Sequence, residues 1–159
     1  MSIRNNVTRL LESRKIAFTA HELPPEKLGA MEAARILGIP PEHVFKTIVV
    51  KREGKVKPIL AVVPGPCEVD LKAVAKAVGE KKVFLPSERE AEQLTGLQAG
   101  GISPLALINK GFQVLVDESA HALADIYISG GQRGLNIRLP VTDLLKLTNA
   151  RSAPIASHD

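Results

Sequence analysis

The chain has 159 residues, 45% hydrophobic, 24% charged and only 3% aromatic, with a net charge of +4. That suits one globular domain, expected over residues 1–159, and no apolar run approaches the roughly 20 residues of a membrane span. The single cysteine, Cys67, excludes an internal disulfide and suits a reducing, cytoplasmic compartment, while the scarcity of aromatics argues against base-stacking platforms.

In chain order, Val7, Leu10, Leu11 and Ile16 recur at near-helical spacing, with Asn5 or Asn6 available as N-cap. Ala17 to Glu22 reads as a short strand. Leu23 to Gly29, with Pro24 and Pro25, reads as a loop. Met31, Ala34, Ile36 and Leu37 form a second helix ended by Gly38. Val44 to Val50 is apolar and β-branched, hence a buried strand. Glu53-Gly54 marks a turn into a partner strand, Ile59 to Val63, which stops at Pro64-Gly65-Pro66. Asp70 caps a helix carrying Leu71, Val74, Ala75 and Val78, and Gly79 ends it. Lys81 to Leu85 is a short strand. Ser87 and Glu90 have capping-box spacing and open a helix to about Thr95.

The loop Gly100-Gly101-Ile102-Ser103-Pro104 follows. Two glycines free the backbone for positive φ and close ligand approach, and Pro104 fixes the far end. Gln113 to Asp117 and Asp125 to Ser129 read as strands. Gly130-Gly131-Gln132-Arg133-Gly134 is a second glycine-rich turn, Asn136 to Leu139 the last strand, and Val141 to Leu147 a closing helix. The tail from Ala150 reads as loosely held. Short strands and helices without βαβ alternation define an α+β, mixed α/β architecture.

Nucleotide-loop, Rossmann and nucleophile-elbow motifs are missing from the sequence. His21, His43, His121 and His158 lack metal-ligand spacing, so neither a metal nor a cofactor is implied. Cys67 precedes a helix, where a thiolate can be stabilised, but no partner residue supports it as a nucleophile. Lys46 stands out as a cation inside an apolar strand, sharing a face with Val44, Ile48 and Val50. It must either reach solvent or line a polar pocket. Lys46 offers a cation, Gly100 to Pro104 backbone donors, and Ser129 to Gly134 a hydroxyl and approachable backbone. Together they suit electrostatic stabilisation of an acyl or phosphate group.

Four stretches carry a resemblance: Val44-Phe45-Lys46-Thr47-Ile48-Val49-Val50, Asp70 to Lys76, Thr95-Gly96 with Gly100 to Pro104, and Ile126 to Leu135. In order and spacing they resemble the YbaK/EbsC-type aminoacyl-tRNA deacylases, relatives of the editing domain of bacterial prolyl-tRNA synthetases. The resemblance runs from about Val7 to about Leu147. It implies a mixed α/β fold around a curved, barrel-like sheet, and removal of a wrong amino acid from tRNA, most typically cysteine from tRNA for proline. It implies mischarged tRNA as partner, with prolyl-tRNA synthetase as a possible associate. It implies Lys46, Gly100, Gly101, Ser103 and Pro104 as the catalytic set, and Leu23, Leu28, Ile102, Ser129, Gly130, Gly131 and Arg133 as substrate-binding. Glu22-Leu23-Pro24-Pro25 replaces a Tyr-containing stretch of the cysteine-specific members, and Leu28 or Gly29 an aromatic. Alanyl-, seryl- or threonyl-tRNA are therefore alternative substrates, and a non-catalytic tRNA- or synthetase-binding module of the same fold is an alternative function.

Overall fold

The structure is a computed structural model and describes residues 3–157. His158, one of the four histidines considered above, lies outside these residues.

The chain runs α1 (Asn6–Ser13), β1 (Thr19–Glu22), α2 (Ala30–Leu37), β2 (Phe45–Arg52), β3 (Ile59–Pro64), β4 (Glu68–Val69), α3 (Leu71–Val78), β5 (Val83–Phe84), α4 (Glu88–Thr95), β6 (Gln113–Asp117), β7 (Asp125–Ser129), β8 (Leu135–Pro140), α5 (Val141–Thr148), β9 (Arg151–Ala153) and β10 (Ala156–Ser157). Local signals decide most of the boundaries. The Asn5 side chain accepts from Thr8 N–H at 3.0 Å, and the Thr8 hydroxyl accepts from Asn5 N–H at 2.9 Å. The Asp70 carboxylate accepts from Ala73 N–H at 3.1 Å, and Gly79 ends α3 in the left-handed region. Ser87 caps α4 through Glu90 N–H at 3.1 Å. The expected capping box is only half formed. The Glu90 carboxylate turns instead to Lys51 Nζ at 2.6 Å, because a cation outcompetes an uncharged N–H for it.

The main sheet has the order β5-β2-β3-β6-β9. β2 pairs antiparallel with β3, whereas β3–β6 and β6–β9 are parallel. A second, antiparallel sheet has the order β1-β8-β7. The principal core lies between them, with Phe45, Val49, Leu60 and Val62 from the first facing Ile126, Ile128, Ile137 and Leu139 of the second. The other face of the main sheet is covered by Val74 and Ala75 of α3 and by Ile155. With both faces covered, β3 is buried at all six positions, which explains its unbroken apolar run.

One expectation is met only in part, and one needs correction. Among the described residues no ladder closes into a barrel: the main sheet ends at β5 and β9, and its β2 side meets the second sheet at a single bridge, Val44 to Tyr127. The tail from Ala150 is not loose. It forms β9 beside β6 and β10 beside β4, and Ile155 is fully buried. The reason is Asp117, which is buried and accepts from the N–H groups of both Ile155 and Ala156 at 3.0 Å.

Candidate active site

A cavity of about 370 Å³ opens where β2, the loop before α2, the start of α4 and the Gly100 loop converge. Its wall includes Lys46, Gly100, Ile102, Ser129, Leu23 and Leu28. These are six of the twelve residues read from the sequence as catalytic or substrate-binding.

Lys46 is part-buried, and its ammonium donates to the Gly65 carbonyl at 3.2 Å. It thus lines a cavity of mixed polar and apolar character. Gly100 has φ of +89°, and a Cβ there would stand 3.1 Å from Lys27 Cα. The glycine therefore serves both the backbone turn and the close packing of the loop before α2. No hydrogen bond among the described residues takes the Gly100 or Ile102 N–H. Both residues belong to the cavity wall.

The other six residues stand behind the wall. Gly101 N–H donates to Gln98 O at 2.8 Å. A Cβ on Gly101 would lie 2.8 Å from Gln132 Cα and 2.9 Å from its carbonyl carbon. The close approach is to the second glycine-rich turn. Ser103 is fully buried, and its hydroxyl accepts from Leu105 N–H at 3.2 Å; Pro104 is buried beside it. Gly130 N–H donates to Leu135 O, and Gly131 N–H to the Ser129 hydroxyl. Arg133 Nε donates to Ala99 O at 2.7 Å, tying the second turn to the residue before Gly100. These residues shape the loop that faces the cavity. Gly101→Ala should cost about 1–3 kcal/mol, as overpacking against unyielding backbone does. Urea unfolding measures this, and a loss below about 0.5 kcal/mol would mean that the two turns yield freely.

Sequence reasoning missed Asn136, which lines the cavity at 5% exposure with its Oδ1 unpartnered among the described residues. Its signal was the alternation of β8: Leu135, Ile137 and Leu139 enter the core, which turns Asn136 to the opposite face. Directly across the ladder, His21 has a buried Nε2 in the same condition and lies 5.7 Å from the Tyr127 ring. At the rim, Lys27 and Glu88 pair at 3.0 Å, an exposed bond worth little to stability.

Cys67 is buried at 3% exposure. Burial pushes its thiol above the ordinary range, the Asp117 charge adds to this, and Lys46 opposes it. A raised value means less thiolate, so alkylation by iodoacetamide at pH 8 should run at least about tenfold slower in the native protein than in urea. Mass spectrometry of the alkylated fraction over time would show this, and equal rates would contradict it.

The domain is α+β and brings a lysine and a glycine-rich loop to one cavity of mixed polar and apolar lining. The chain belongs to the aminoacyl-tRNA editing domain family, whose model matches residues 24–147. It is 35% identical, over 98% of this chain and 95% of the other, to an Enterococcus faecalis protein named "Putative Cys-tRNA(Pro)/Cys-tRNA(Cys) deacylase EbsC". It is 26% identical over 71% of its length to a proline–tRNA ligase of Desulforamulus reducens, of which it spans 19%. Among solved structures, one described as "a putative trans-editing enzyme for prolyl tRNA synthetase" superposes with a TM-score of 0.79 at 26% identity, covering 98% of this chain and 99% of that one.

Proposed function

We propose that the protein is a trans-editing deacylase that cleaves the ester of mischarged aminoacyl-tRNA in the cytoplasm, with Cys-tRNA(Pro) as its main substrate. The observation that carries this reading is the placement of Lys46 and the Gly100–Ile102 loop on one cavity, in a chain of the editing family. The ester carbonyl sits against the Gly100 and Ile102 amides, and the Lys46 ammonium offsets the negative charge that develops on its oxygen. An aminoacyl ester is already activated, so orientation and charge stabilisation suffice without a protein nucleophile. With cysteine as the acyl group, the substrate's own thiolate attacks the carbonyl carbon. A C–S bond forms, the C–O bond to the ribose breaks, the ribose oxygen takes the proton that the thiol gave up, and the acyl group leaves as a cyclic thioester. Leu23, Leu28, Ala30 and Ala33 give the cavity a small apolar wall suited to a side chain of this size. The tRNA is held through its phosphates, to which the net charge of +4 contributes, and prolyl-tRNA synthetase is the natural source of the mischarged species.

A deacylation panel tests the reading. Cysteinyl-, alanyl-, seryl- and threonyl-tRNA(Pro) are incubated with the protein and the surviving ester is counted. Cysteinyl-tRNA should be lost fastest. Preference for alanyl-tRNA would reassign the substrate, and survival of all four would overturn the deacylase reading.

A further inference from the structure

The cavity touches every residue from Val44 to Val49 without a gap. Side chains of a strand alternate between faces, so a space lying on one face would meet every second residue. Contact with each residue in turn means that the cavity meets β2 edge-on.

The pairing of β2 agrees. Gly65 N–H donates to Val44 O at 2.7 Å, and these two residues continue the register in which Lys46 faces Val63 and Ile48 faces Ala61. Antiparallel pairs alternate between bonded and non-bonded. Lys46, Ile48 and Val50 therefore turn their backbone groups to β3, and Thr47 and Val49 turn theirs outward. On that outer side β5 pairs only at Lys51 and Arg52. The same register would next bring Pro86 opposite Val49, and proline has no N–H to continue the ladder. At the other end β7 lies alongside the start of β2, and the one bridge between them is Val44 to Tyr127, just before the strand. Between these limits no ladder pairs the outer side of β2 at Thr47, and the cavity meets the strand there.

An open edge pairs with extended chain. This one is closed at both ends, which leaves room for one residue and not for a peptide strand. An aminoacyl ester is one residue of strand: it carries an amine donor and a carbonyl acceptor on the same carbon. Resting on the deacylase reading, we infer that the aminoacyl group docks as a one-residue rung on β2. Its α-ammonium donates to the Thr47 carbonyl, and its ester carbonyl accepts from the Thr47 N–H. Such a rung recognises the free α-amine whatever the side chain. Thr47 N–H then joins the loop amides in polarising the ester.

The test has a substrate arm and a protein arm. Whichever charged tRNA of the panel is cleaved is offered again after N-acetylation, which removes the cation and leaves the ester. Cleavage should slow by at least about 100-fold, the scale of losing a preorganised polar partner. In the protein, the Thr47 amide is replaced by an ester through incorporation of the α-hydroxy analogue of threonine, which deletes only that N–H. kcat should fall about 10²–10³-fold with a cooperative melt retained. Unslowed cleavage of the N-acetylated substrate, or a wild-type rate in the amide-to-ester variant, overturns the rung and leaves the deacylase standing. If no free-amine substrate is cleaved, the deacylase reading falls and the rung with it.

Discussion

Lys46→Met is expected to lower kcat for deacylation about 10²–10³-fold while the protein unfolds at nearly the wild-type midpoint. Methionine keeps the unbranched stem along the cavity and deletes only the cation. The ammonium's present partner is one backbone carbonyl, Gly65 O at 3.2 Å. Loss of one such bond is worth about 1 kcal/mol, and relief of a part-buried charge works in the opposite direction. Stability and activity should therefore separate. If Lys46 served the fold alone, the rate would follow the small stability change. Lys46→Ala sharpens the distinction, because it leaves a hole that a small alkylamine can enter. Partial recovery of rate with added ethylamine would assign the effect to the positive charge. A Lys46→Met protein that deacylates at the wild-type rate would remove Lys46 from the mechanism.

The parts legible in the sequence are those governed by a few neighbouring residues. Asn5, Asp70 and Ser87 cap their helices as read, because a cap is a contact within one turn. Glu90 was misread as a capping partner because its competitor, Lys51, lies 39 residues away. Lys46 could be singled out because a cation in an apolar strand is costly wherever the strand sits. Gly101 was legible as a position needing glycine, but the reason given was ligand access. The structure supplies another: the backbone of Gln132 fills the space a Cβ would take. The open edge of β2 depends on where β5, more than thirty residues on, stops pairing with it. No single-segment reading contains that information. Asn136 sat in a strand correctly placed, yet its value comes from the cavity on its face.

The tail shows the same limit, and it supports the largest expected stability change. Asp117 ends β6 at 4% exposure. One carboxylate oxygen accepts from Ile155 and Ala156 N–H, and the other accepts from Ser119 N–H at 3.2 Å and the Ser119 hydroxyl at 2.5 Å. Four donors converge on one buried side chain, so the charge is fully compensated. Asp117→Asn keeps the volume but turns an amide NH₂ toward donors, leaving either the Ile155 and Ala156 N–H groups or the Ser119 N–H buried and unmet. Hydrogen bonds to charged groups are worth about 1.5–3 kcal/mol each, and unsatisfied donors add to the loss, so destabilisation of about 3 kcal/mol is expected. For a chain of this size that lowers Tm by about 6–12 °C. The damage should concentrate where Asp117 acts. Hydrogen exchange should accelerate over residues 151–157 before it does in β3, since β9, β10 and Ile155 depend on this anchor. Cys67 gives an independent readout, because the Asp117 charge helps hold its thiol high. Removing that charge lowers the thiol's pKa, and a loosened tail uncovers it. Alkylation of Cys67 in Asp117→Asn should therefore be faster than in the parent protein at the same pH. Unchanged exchange over the tail, together with a loss of less than about 1 kcal/mol, would mean that apolar burial of Ile155 alone seats the segment.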